Sequence, residues 1–233
     1  MNSKKDHNTN SQTTLNIRDI GLTKYLDALE LQKKLHKQRL NNDIRNTIIL
    51  TEHYPVITLG ARAGNNKLVS EVKQLEQHNI DLVETRRGGG VTAHNPGQIV
   101  IYPIVELASL NLSINQYIRT LEQIGIELLA KLNVKATRKK GFPGLWIKNE
   151  NVTENQDDKL TKKIASIGVR AAKLVTTHGI AVNICNDLKI FDNIVPCGIQ
   201  SISITSVLKE TGKKYSIVSI QKLLIPVLRK HLK

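Results

Sequence analysis

The sequence predicts an α/β or α+β fold in which strands and helices share one compact body. Two observations carry this expectation. Apolar runs of strand length recur between segments with helical spacing, and several of the runs lie close enough to pair antiparallel. The chain of 233 residues, 40% of them hydrophobic, can bury a substantial core, and it shows no internal repeat or long linker. Residues 15–233 therefore read as a single catalytic-sized domain and residues 1–14, "MNSKKDHNTNSQTT", as a frayed polar tail.

Taken in order, residues 22–41 are expected to form a helix. Leu22, Leu26 and Leu29 follow one helical step, and Leu31 and Leu35 repeat it on another side, which predicts burial on more than one face. "NTIILTEH" and "PVITLG" read as strands separated by a turn at Tyr54-Pro55, and "NIDLVETR" as a third strand. "GQIVIYPIVEL" is apolar enough to be a central strand. Ser113 is a good N-cap for a second long helix over 113–132. "GLWIKN" predicts a strand and "ENVTENQDDKLTK" a polar loop. "KIASIGVRAAK" and "VTTHGIAVNIC" predict a hairpin turning near Lys173. A short segment at 187–193 then leads to "VPCGI", and the C-terminal stretch reads as a helix interrupted at Pro226.

Composition narrows the function classes. Lys and Arg number 34 against 20 Asp and Glu, a formal charge of +14. A basic surface suits nucleic acid or an acidic protein partner. Aromatic residues make up only 3%, which argues against a base-stacking platform, and no zinc-finger, RNP or helix-turn-helix signature is present. No apolar run reaches the roughly 20 residues of a membrane span, and the N-terminus lacks the apolar stretch of a secretory signal. With two cysteines, Cys185 and Cys197, a disulfide framework is not expected, and the cytoplasm is the default compartment.

The segment "ETRRGGGVTAHNPGQIVIYPI", residues 84–104, sets three consecutive glycines beside an apolar strand. So many glycines are costly unless something must approach the backbone closely. Cys197, between Pro196 and Gly198, sits in a rigid exposed turn and is the better nucleophile candidate. Cys185 alternates with core-like neighbours in a strand and reads as structural. Lys163 opens a strand of small and apolar residues, where partial desolvation would fit it for acid–base work. Lys162 points to the opposite strand face, and the pattern alone does not choose between the two. His94 and His178 could each transfer protons or shape a pocket, and they lack the company of a zinc site. Arg87 could hold the glycine loop or touch substrate.

"RGGGVTAHNPGQIVIYPI", "KIASIGVR", "THGIAVNICNDLKIF" and "VPCGI", in that order over residues 87–199, resemble the motif series of the lipoyl(octanoyl) transferases. The resemblance implies the biotin/lipoate protein ligase-like fold, a mixed α/β sheet flanked by helices. It makes Cys197 the acyl-thioester nucleophile and Lys163 the group that lowers the thiol pKa and serves as acid and base. It places the substrate pocket on Arg87, Gly88, Gly89, Gly90, Val91, Thr92, Ala93 and His94, on Ser166, Ile167 and Gly168, and on Gly179, Ile180 and Ala181. Asn95 departs from the family's glycine after the histidine, and Ala93 from a common aromatic, which would leave the pocket rim less filled.

The implied reaction moves an octanoyl or lipoyl group from acyl carrier protein to a lysine of a lipoyl domain. The acceptors would be 2-oxoacid dehydrogenase complexes and the glycine cleavage H protein. Exchange between thioesters is nearly isoenergetic, so no cofactor, ATP or metal is implied, nor any nucleic acid or membrane. The glycine segment would wrap the acyl chain and "QIVIYPI" would wall it. An ATP-dependent lipoate or biotin ligase, an octanoyl amidotransferase between lipoyl-domain proteins and a non-enzymatic basic binding protein are the rival readings.

Overall fold

Strands buried on both faces are the framework. In the computed structural model, which describes residues 15–62, 68–148, 162–195 and 202–233, strand β6 (Gln98–Ile104) is buried at every position. It lies in the middle of an eight-stranded mixed sheet with β1 (Asn16–Thr23), β2 (Thr47–His53), β7 (Thr137–Lys139), β8 (Phe142–Ile147), β9 (Lys162–Ala172), β10 (Val175–Asn183) and β11 (Ser203–Ile204). The order is β1-β2-β6-β10-β9-β8-β7, with β11 running parallel beside β9. All other pairs are antiparallel except β1–β2, which are joined through helix α1 (Tyr25–Leu40) as parallel neighbours.

Alternation along the strands divides the core. Ile48, Leu50, Ile99, Ile101, Ile180 and Val182 pack toward α3 (Ile114–Lys131) and α5 (Ile217–His231). Ile49, Val100, Tyr102 and Ala181 face α1 on the other side. A small sheet, β4 (Asp81–Glu84), β3 (Val56–Leu59) and β5 (Val91–His94) in that order, has its own core of Ile57, Leu75, Val91, Ala93 and Phe191. Leu75 comes from the short helix α2 (Val72–Gln77), and a last short helix, α4 (Val207–Thr211), precedes α5.

Several expectations need correction. The helix over 22–41 begins at Tyr25 and buries Tyr25, Ala28, Gln32, Leu35 and Arg39, while Leu22 and Leu26 are exposed. Polar Gln32 and Arg39 complete the stripe because Arg39 meets Glu106 at 2.6 Å and Gln32 accepts from the His178 N–H. The runs on either side of Tyr54-Pro55 are strands, but they enter different sheets. Residues 16–23, 72–77, 91–94 and 137–139 form elements that the pattern left unassigned. Cys185 lies just past β10 and half-buried, its Sγ 3.6 Å from the Tyr215 carbonyl, and burial raises its thiol pKa. Pro226 sits inside α5 without ending it. The central strand, the Ser113 cap on α3 and the hairpin turn at Lys173 are as expected.

Candidate active site

The glycine segment lies on β9. The Gly88 N–H donates to the Val169 carbonyl at 2.9 Å, and a side chain at either Gly88 or Gly168 would collide with the opposing backbone, 2.9 Å from Val169 O or 2.7 Å from Gly88 O. What approaches these glycines is therefore another strand. Arg87 fastens the loop from the other side. It is buried, and donates from Nε and Nη2 to the Thr58 hydroxyl (3.1 and 2.8 Å) and from Nη2 to the Thr58 carbonyl (2.6 Å).

Between this loop, the start of α1 and the α1-facing side of β6, β9 and β10 lies a cavity of about 310 Å³, within the size range of small-molecule sites. Arg87, Gly89, Gly90, Val91, Thr92 and His94 line it, as do Lys163, Ser166, Ile167 and Gly168 and, from β10, Gly179, Ile180 and Ala181. Two residues expected there do not. Gly88 is spent on the contact with β9, and Ala93 is fully buried in the core of the small sheet, so it leaves no gap at the rim. Of "QIVIYPI", only Val100 and Tyr102 reach the cavity, because the alternate positions face α3 and α5.

The structure separates the two lysines. Lys163 is 5% exposed, lines the cavity and holds its ammonium 5.0 Å over the Trp146 ring. Lys162 faces away and pairs with Glu210 at 3.1 Å. Gly144 makes room for the Lys163 stem, since a Cβ there would lie 2.9 Å from the lysine Cε. Beneath it, the fully buried Glu122 carboxylate accepts from the Gly144 N–H at 3.3 Å and is paired with Arg119 and Arg138.

Both histidines are buried and neutral. Gln98 donates from Nε2 to Asn183 Oδ1 (2.8 Å), so its Oε1 turns to His94 and accepts from Nδ1 at 2.7 Å. Burial, then the neighbouring His53, lowers the His94 pKa to about 3. His178 is lowered to about 4 by burial and by Arg87. It pairs with Val169, about 20 Å along β9 from Lys163 at the usual rise per residue. Asn95 is not left-handed; its side chain instead donates to the Asp187 carbonyl (2.7 Å) and accepts from Asn186 (3.0 Å), tying the loop to the turn after β10.

Sequence reasoning missed Tyr25, Phe142 and Phe191 in the cavity wall. Tyr25 opens α1 at a position that the leucine spacing had masked. Cys197 lies outside the described residues. The described chain on either side of it contributes Phe191 and Ile204 to the cavity, and Ile204 is in register with Lys163.

A mixed sheet with this loop and cavity is the biotin/lipoate protein ligase-like fold. A bipartite lipoate protein ligase from Thermoplasma acidophilum superposes with a TM-score of 0.69 over 95% of this chain and 84% of that one, at 15% identity. The lipoyl protein ligase A/B catalytic domain matches residues 24–229, and the chain belongs to that family. It is similar to octanoyltransferases of Koribacter versatilis (38% identity, 88% of this chain and 79% of the relative) and Desulfovibrio desulfuricans (36%, 83% and 76%). The chain is an enzyme, an acyltransferase.

Proposed function

We propose that this enzyme transfers an octanoyl group from acyl carrier protein to a lysine of a lipoyl domain through a thioester on Cys197. The relatives are named octanoyltransferases, and a lipoate ligase of the same fold is described with its lipoyl domain, which supports the acceptor. The observation that favours the route most is Lys163: a buried lysine at the cavity, next to the strand by which the chain returns from the Cys197 segment.

In this reading Lys163 takes the thiol proton and the Cys197 thiolate attacks the donor thioester. The new acyl–sulfur bond forms as the carrier thiolate leaves with the proton from Lys163. The acceptor amine then attacks the acyl-enzyme, its proton passes to Lys163, and Cys197 departs as the amide forms. Donor and intermediate are both thioesters, so no ATP enters. Burying about six methylenes in the cavity would contribute roughly 5 kcal/mol. We place the reaction in the cytoplasm, where a free thiol stays reduced. Acceptors are the 2-oxoacid dehydrogenase complexes and the glycine cleavage H protein, and the +14 charge suits acidic partners.

Intact-protein mass measurement after mixing with octanoyl-acyl carrier protein, without ATP, tests this. We expect a gain of one octanoyl group that hydroxylamine removes and that Cys197→Ser abolishes. Acyl transfer only on adding ATP and free acid would replace the transferase with a ligase.

A further inference from the structure

Strand alternation alone would put the cavity lysine on the wrong face. On β9, Ser166 and Gly168 line the reaction cavity, while Ala165 is buried in the core under α3 and Val169 packs against that core. Continued regularly, the pattern would turn Ile164 into the cavity and Lys163 into the core. The structure does the reverse. Ile164 is fully buried in the same core as Ala165, and Lys163 lines the cavity. A break in the pairing with β8 explains the exchange. Leu145 lies opposite Ala165, but the next residue, Trp146, lies opposite Lys163, so Ile164 is the extra residue of a β-bulge. Bulges of this kind re-aim a side chain.

β8 is anchored beside the bulge. Gly144, one residue before Leu145, has a φ of 130°, and a Cβ there would lie 2.5 Å from the Ala165 carbonyl oxygen and 2.9 Å from the Lys163 Cε. Its N–H donates to Oε1 of Glu122 at 3.3 Å, and Oε2 of the same carboxylate pairs with Arg119 at 2.7 Å and Arg138 at 3.2 Å. The fully buried Glu122 thus joins α3, β7 and β8 at one point. Apolar side chains of similar volume would serve stability as well as a buried ion pair does. They would lack the directional hold on the Gly144 N–H.

We propose that Glu122 is a positioning residue: by holding the Gly144 N–H it keeps the bulge at Ile164, and the bulge delivers Lys163 to the reaction cavity. The inference rests on the acyl-transfer reading, in which Lys163 is acid and base.

Steady-state octanoyl transfer from acyl carrier protein to a lipoyl domain, on single and double variants, provides the test. Glu122→Leu should lower kcat by about tenfold to a hundredfold, as a misplaced reacting group does, and leave KM for the carrier within a few-fold. Glu122→Gln should recover most of that loss, because its Oε1 still accepts from Gly144. In a Lys163→Ala background, Glu122→Leu should cost nothing further, since a residue that acts through Lys163 has nothing left to position. Glu122→Leu with Arg138→Leu replaces the pair by apolar groups, which keeps the fold should the single variant lose it, and should show the same loss in kcat. Thermal unfolding of each variant establishes that a loss is not unfolding. An unimpaired Lys163→Ala would remove the reading on which the proposal rests. With Lys163→Ala impaired, three outcomes would overturn the positioning role alone: normal turnover by Glu122→Leu, losses that multiply in the double variant, or a Glu122→Gln as slow as Glu122→Leu.

Discussion

Adjacent lysines 162 and 163 are chemically alike, and only the pleat of β9 distinguishes them. One is paired with Glu210 at the surface and the other is held over Trp146 at the cavity. Lys163→Ala should lower the turnover of octanoyl transfer by about 10²–10⁴-fold, the usual range for a positioned acid–base group, while Lys162→Ala should stay within a few-fold. Steady-state kinetics on the two variants decides it; equal losses would remove Lys163 from its assigned role. At this scale the motif blocks made the pocket's glycines, serine and lysine legible. The direction of a strand side chain was not, because a period of two offers both faces equally until the neighbouring strands are known. Ala93 shows the same limit: its loop was readable, but β5 turns the side chain into the small sheet.

Elements with a strong period were readable and short or polar ones were not. β6 is apolar throughout and α3 carries a capping box, so both could be placed from local residues. β1 is an edge strand with a register shift between Asp19 and Leu22, and only half its positions are partly buried, so its sequence lacks alternation. The β9–β10 hairpin has a two-residue turn in which Lys173 and Leu174 have φ of 49° and 62°. Such turns favour Asn-Gly, and a leucine in a left-handed conformation is strained. Leu174, 58% exposed, contributes little burial in return. Leu174→Gly should therefore stabilise the protein by about 1 kcal/mol, read as a shift in the denaturant midpoint. A loss of stability would show that the turn carries no strain.

Across the whole molecule, the interface between the two sheets and α1 is built from buried imidazoles and phenols. His53 bonds to Tyr102 (2.8 Å) and lies edge-on to Tyr25 and His94, and Tyr102 reaches His178. Burial lowers the His53, His94 and His178 pKa values from 6.5 to about 4, 3 and 4. The unfolded chain thus binds more protons between those values and 6.5. The stability these groups contribute is complete above pH 6.5 and is lost as the pH falls toward 4. Each histidine should remove about 2 kcal/mol between pH 6.5 and 5. Denaturant unfolding at the two pH values measures this, and a midpoint unchanged over the interval would contradict it. Nothing in the residue pattern announced this cluster, because its members come from β2, β5, β6, β10 and α1 and meet only when the layers close.

Trp146, the chain's one tryptophan, is fully buried with the Lys163 ammonium against its ring. Nature has in effect placed a single fluorophore at Lys163, the lysine proposed as acid and base. Excited selectively over the five tyrosines, its emission would respond to a change of charge or an arriving acyl chain at that one point. Each half-reaction of the proposed route could then be followed in stopped flow on the unlabelled enzyme.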